Sequence, residues 1–204
     1  TLFRSFNFMK NIALEYLRKG FSVMPIRTDD KKPCLQTWVE FQKRLPTENE
    51  VVSWWESFPN ANIGIITGAV SGITVVDFDK KHNGLETLKK LKMPPTLITK
   101  TGGGGYHYYY KYVPNTKNTQ NREIGIDIRT EGGYVVAPPS THESGNKYEE
   151  VTEFSKDLIS GFPLDQVELE YHGQSNQNTP DKWKDIFENG AKEGGRNCTA
   201  IKVA

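Results

Sequence analysis

Three short segments of this 204-residue chain carry residues that could do chemistry together. In Ile73-Thr74-Val75-Val76-Asp77-Phe78-Asp79, two carboxylates stand two residues apart at the end of an apolar run. Side chains on a strand alternate between faces, so Asp77 and Asp79 point the same way if the strand continues through them. Paired carboxylates repel and lose hydration. A hard divalent cation, which prefers oxygen ligands, relieves both costs. The same pair also suits a solvated turn at a strand end.

The second segment is Thr99-Lys100-Thr101 followed by Gly102 to Gly105, Tyr106 and His107. Four glycines let backbone N–H groups approach a phosphate without side chains in the way. Lys100 and His107 flank the loop and can donate to phosphate oxygens. The loop lacks the Gly-Lys-Ser/Thr ending of a P-loop and the spacing of a dinucleotide fingerprint. A flexible hairpin beside a surface histidine is the plainer alternative. The third segment is Gly125-Ile126-Asp127-Ile128-Arg129. Ile124, Ile126 and Ile128 share one strand face and belong on a core, which puts Asp127 and Arg129 on the other. Alone, that could be an exposed ion pair. Together, three carboxylates with a lysine, a histidine and an arginine suit the handling of a nucleoside triphosphate with two metal ions. The ions activate an attacking hydroxyl, and the cations neutralise the departing pyrophosphate.

These residues must be positioned by strands. The pattern predicts a helix over 8–20 closed by Gly20, a strand at 21–26, and a polar turn at 28–33. It then predicts a helix at 48–57 with Thr47 and Glu50 as a capping box. Strands follow at 62–67 and 72–78, joined by a tight hairpin at 68–71. A short helix at 84–92 precedes strands at 96–101 and 106–112. A third strand pair at 124–130 and 134–137 surrounds Glu131-Gly132-Gly133. Tyr106, Tyr108, Tyr110 and Tyr112 lie on one strand face, where sheet packing explains them better than base stacking.

Hydrophobic residues make up 36% of the chain and the formal net charge is +1, a globular composition without the strong basicity of many nucleic-acid binders. A local basic strip could still meet phosphates; Lys31, Lys32 and Arg44 are candidates or simply solvated. Cys34 and Cys198 lack partners at zinc-ligand spacing, so no zinc is expected, and a reducing, cytoplasmic compartment suits them. No apolar run approaches the roughly 20 residues that span a bilayer. The chain has no initiator Met and ends at Ile201-Lys202-Val203-Ala204 within a helical pattern, so a longer parent protein is expected. The expected organisation is a catalytic domain at 1–165, a linker at 166–180, and the start of a helical domain at 181–204.

The three segments resemble the motifs of the archaeo-eukaryotic primase superfamily, most closely its bifunctional primase-polymerase branch of plasmids, phages and mobile elements. Asp77-Phe78-Asp79 is similar to the first motif, His107 to the histidine of the second, and Asp127 to the acidic residue of the third. The run from Gly132 to Ser140 is similar to the segment that follows. Tyr16, Gly20, Val23, Lys32-Pro33, Trp38, and Trp55 before Asn62-Ile63-Gly64-Ile65 resemble the family's opening. The likeness spans about residues 12–150. Glu193-Gly194-Gly195-Arg196-Asn197 resembles the start of a helical domain that often precedes a helicase. Gly105 stands where the family often has a small hydroxyl residue, so Thr101 or backbone amides are expected to serve there. The zinc-stem insertion of some relatives has no counterpart.

The resemblance implies an α/β (α+β) fold: a mixed sheet flanked by helices in two subdomains, one of them RRM-like, with the active site between them. It implies template-directed attack of a 3′-hydroxyl on an incoming nucleotide, making and extending primers on single-stranded DNA. Asp77, Asp79 and Asp127 would hold two Mg²⁺ or Mn²⁺ ions. His107, Lys100, Thr101, Gly105 and Arg129 would bind the nucleotide. Two rivals remain: a metal-dependent nuclease or phosphodiesterase using the same acids, and a catalytically silent single-strand-binding initiator module.

Overall fold

A computed structural model of the protein describes residues 8–163; the expected linker and C-terminal helical segment lie outside the described residues. The chain opens with α1 (Phe8–Arg18), whose Ala13, Leu14, Tyr16 and Leu17 are buried. Strand β1 (Val23–Ile26) follows. Helix α2 (Glu48–Ser57) starts at the expected capping box: Thr47 Oγ1 accepts from the Glu50 N–H at 3.2 Å, and Glu50 accepts from the Thr47 N–H at 2.7 Å. Arg44 donates to both Glu40 and Glu50 from 2.7 Å, so it ties the chain locally.

Two sheets result. Strand β2 (Asn62–Ile66) lies between β1 and β8 (Tyr134–Ala137) in a three-stranded sheet. The second sheet has six strands, in the order β6-β7-β3-β5-β4-β9. These are β3 (Ile73–Phe78), β4 (Leu97–Lys100), β5 (Tyr106–Lys111), β6 (Thr119–Asn121), β7 (Ile126–Arg129) and β9 (Glu149–Glu150). The α+β class holds, but the ladders are antiparallel rather than mixed. The one parallel contact among the described residues is an isolated bridge between Tyr110 and Ser160.

Only one expected hairpin is a hairpin. β4 and β5 pair across the glycine loop. β2 and β3 do not; after Ile66 the chain leaves the small sheet and enters the large one at Ile73, with a single bridge between Gly68 and Ile73. β7 and β8 separate in the same way, in the opposite direction. The two crossings are stitched together: the Thr67 N–H donates to Gly133 O at 2.9 Å, and Thr67 Oγ1 to Thr130 O at 2.5 Å. The reason is burial. Asn62–Ile66 is buried at every position, and such a strand needs cover on both faces, which a terminal hairpin cannot supply.

Each face of the large sheet has its own cover. Thr74, Val76 and Phe78 face one side, where Val76 and Phe78 pack with Ile124, Ile126, Ile128 and Tyr110 beneath Leu88 of α3 (Gly84–Lys90) and Leu91. Tyr108 sits edge-on to Phe78 at 5.3 Å, so the tyrosines act as sheet packing as expected. On the other face, Ile73, Val75, Leu97 and Tyr109 join α1, α2 and the small sheet in the main core. That apolar half-face stops at Val75. One step further along β3 stands Asp77.

Candidate active site

The register of the large sheet places six side chains in one transverse row. Gln120, Asp127, Asp77, His107, Thr99 and Glu150 are successive partners across β6, β7, β3, β5, β4 and β9. Direct antiparallel partners hold their Cβ atoms about 4.5–5.5 Å apart on the same face. The row continues the face that is apolar core at Val75, so its polar groups lie at the edge of a dry interior.

His107 is buried, at 4% exposure, and not a surface histidine. Its Nε2 lies 3.6 Å from Asp77 Oδ2. Its ring packs near Tyr109 and Tyr148, with centroids at 6.2 and 6.0 Å. Nδ1 has no hydrogen-bond partner among the described residues. Buried polar atoms are nearly always satisfied, so an open one beside a candidate site points to a missing ligand or water.

Asp127 accepts from Arg129 Nη2 at 2.8 Å and from Gln120 Nε2 at 3.2 Å, both on Oδ2. Burial pushes its carboxyl up to about 6; Arg129 opposes the shift, and the carboxylates of Asp77 and Asp79 add to it. The expected pairing of Asp127 with Arg129, away from the isoleucines, is therefore present.

Asp79 departs from the expected geometry. The strand ends at Phe78, and Asp79 instead caps a short 3₁₀ turn, Lys80–His82. Its Oδ1 accepts from the Lys81 N–H at 2.9 Å, and His82 Nδ1 lies 2.9 Å from its Oδ2. Burial raises its carboxyl, but these two hydrogen bonds outweigh burial and leave it below the ordinary carboxylate range. Local capping thus claims both oxygens of Asp79. Among the described residues, no three His, Cys, Asp or Glu side chains gather in a ligating array. Asp77 and Asp127 nevertheless offer oxygen donors on one face with surplus negative charge, the donor set that Mg²⁺ or Mn²⁺ prefers.

The glycine loop is built by close approach. A Cβ at Gly105 would run into the Phe78 carbonyl oxygen, and one at Gly102 into the Cβ of His142. Neither position admits a side chain, hydroxyl-bearing or not. Thr101 Oγ1 accepts from the Gly105 N–H at 3.0 Å, so its hydroxyl closes the loop. Lys100 is not brought to the row. It partners Tyr106 on the opposite face, and its Nζ sits 3.8 Å from Glu149. The alternation that puts Thr99 beside His107 necessarily sends Lys100 away.

Residues that sequence reasoning passed over also surround the loop. Tyr148 is buried between His107 and His142, 6.3 Å from the latter by ring centroids. Lys80 lies along Gly104. Tyr148 and His142 sit in an aperiodic polar stretch, where no spacing signals their position. Among the described residues, no helix is long and apolar enough to cross a membrane.

A protein-family model described as "Bifunctional DNA primase/polymerase, N-terminal" matches residues 13–163, which includes every residue of the row. No curated protein matches the chain.

Proposed function

From its membership of the bifunctional DNA primase/polymerase family, we propose that this chain is a template-dependent nucleotidyltransferase that makes primers and extends them on single-stranded DNA. The observation that supports this most is the row Asp127–Asp77–His107: two acidic residues and a buried histidine on three adjacent strands. Asp77 and Asp127, joined by Asp79, would hold two Mg²⁺ or Mn²⁺ ions. When bound, the ions would lower the pKa of the attacking 3′-hydroxyl and screen the leaving pyrophosphate.

The chain's own groups do the rest. His107, buried and with an unsatisfied ring nitrogen, donates to a phosphate oxygen near Asp77. Arg129 keeps a positive charge next to Asp127. The glycine loop admits the triphosphate at backbone distance, and Thr101 fixes the loop's shape. Lys100, on the other face, has no phosphate contact in this reading. A helicase-bearing partner segment would lie beyond the described residues.

The test is incubation with a single-stranded template, Mn²⁺ and labelled nucleotides, with and without a primer. Synthesis should depend on nucleotide, template and metal. Asp77→Ala and Asp127→Ala should each lose nearly all of it while keeping a wild-type circular dichroism spectrum. Activity within a few-fold of wild type in both variants would remove the assignment. Template degradation that needs no nucleotide would favour a nuclease instead.

A further inference from the structure

The glycine loop carries a second set of cations that the three motifs do not include. Lys31 lies in the turn after β1, and its Nζ is 3.0 Å from His142 Nε2, across 111 positions of sequence. Lys31 has a left-handed backbone, φ 59°, which lysine rarely adopts. That turn is held by the Tyr134 hydroxyl donating to Lys31 O at 3.1 Å and by the Arg27 N–H donating to Lys32 O at 2.8 Å. A strained residue held by its surroundings is a pointer to function.

His142 is 8% exposed and sits over the loop. A Cβ built at Gly103 would lie 3.6 Å from its Nε2. One built at Gly104 would lie 3.6 Å from Lys80 Nζ. Two glycines of the loop therefore each carry a cation or ring donor directly above them. The hydrogen-bonding of His142 is frustrated. The Ser144 N–H points at Nδ1 from 3.1 Å, and Ser144 Oγ lies 2.9 Å from it. If Nδ1 accepts, the neutral ring carries its proton on Nε2, which then faces the Lys31 ammonium, donor against donor. If Nδ1 carries the proton, it opposes the Ser144 N–H instead. An anionic oxygen bound beside Lys31 and His142 removes the conflict, because both groups then donate to it. Glu143 stands near this pair, its carboxylate 3.8 Å from Nε2 and more than half exposed, and the charge of Asp79 also reaches His142.

We propose that Lys31, His142 and Lys80 form a clamp for the terminal phosphates of the incoming nucleotide, closed over the glycine loop from the small-sheet side. Tyr148, packed between His107 and His142, ties this clamp to the catalytic row. The proposal rests on the nucleotidyltransferase reading for the identity of the ligand, but none of its three side chains belongs to the row that holds Asp77 and Asp127.

The probe is inorganic tripolyphosphate in the presence of a chelator, with binding read by calorimetry on wild type, Lys31→Gln and the Lys31→Gln/His142→Gln double variant. Wild type should bind. Lys31→Gln, an intermediate-exposure side chain whose loss leaves the core intact, should weaken binding by roughly tenfold, as loss of one charge-assisted contact does. The nucleotide KM should rise by a similar factor while kcat stays within about threefold. An Asp77→Asn/Asp127→Asn variant should retain tripolyphosphate binding. Absence of binding by wild type, or equal affinity in all three proteins, overturns the clamp even if synthesis is observed. Lys31-dependent binding in a protein that synthesises nothing supports the clamp and removes the polymerase reading. A single-stranded oligonucleotide separates phosphate sources: its affinity should not change in Lys31→Gln. A loss confined to the oligonucleotide overturns the proposal in favour of a template contact.

Discussion

Asp77 stands directly opposite Asp127 across the antiparallel β3–β7 ladder. Like charges directly opposite destabilise a sheet, and here the pair is also half removed from water. The cost falls on Asp127, whose carboxyl is pushed up to about 6 by burial and by its acidic neighbours, against the pull of Arg129. Arrangements of this kind persist at functional sites, where folding stability is traded against a binding task.

Asp127→Asn should therefore stabilise the protein while abolishing synthesis. The folded carboxyl sits near 6 against an ordinary 3.8. Its ionisation therefore opposes folding at every pH above that range. The difference between about 6 and the ordinary 3.8 corresponds to about 3 kcal/mol, with the attraction of Arg129 already contained in it. The variant should melt a few degrees higher at pH 8. The gain should shrink as pH falls through 6 and vanish below about 4. A thermal-melting series over pH checks this; an equal gain at pH 4 and pH 8 would refute it.

His107→Gln should act mainly on nucleotide binding. The ring is buried beside Asp77, and its Nδ1 has no hydrogen-bond partner among the described residues. Steady-state kinetics should show KM raised about tenfold with kcat changed less. A fall in kcat alone would place the histidine in the chemical step instead.

Gly105→Ala should damage the site through shape. Its added methyl meets the Phe78 carbonyl oxygen, which is backbone and cannot swing aside. Overpacking of this kind costs about 1–3 kcal/mol and here would displace the β3 end that carries Asp77. Gly103→Ala, whose nearest neighbours are 3.6 Å away or more, should melt within a degree or so of wild type. Equal melting temperatures for both variants would contradict the close approach.

Lys100→Ala should change the nucleotide KM less than about twofold, since exposed ion pairs contribute little and this one lies on the far face from His107. A tenfold rise would bring Lys100 back to the phosphates.

The amino-acid sequence determined the local parts of this protein. Alternation of side chains separated Asp127 and Arg129 from the isoleucines, and Thr47 with Glu50 announced the start of α2, because both depend on neighbours a few residues away. The acids and the histidine were recognisable by type. Tertiary structure decided which strands became partners. The short turns at 68–71 and 131–133 look like links between paired strands in sequence, yet each carries the chain into another sheet, because strand pairing follows from burying both faces of distant segments. The same long-range pairing set Asp77 between Asp127 and His107, left Lys100 behind the sheet, and brought Lys31 to His142. The end of β3 at Phe78, which turned Asp79 toward His82, depended on a capping turn with no hydrophobic period to reveal it.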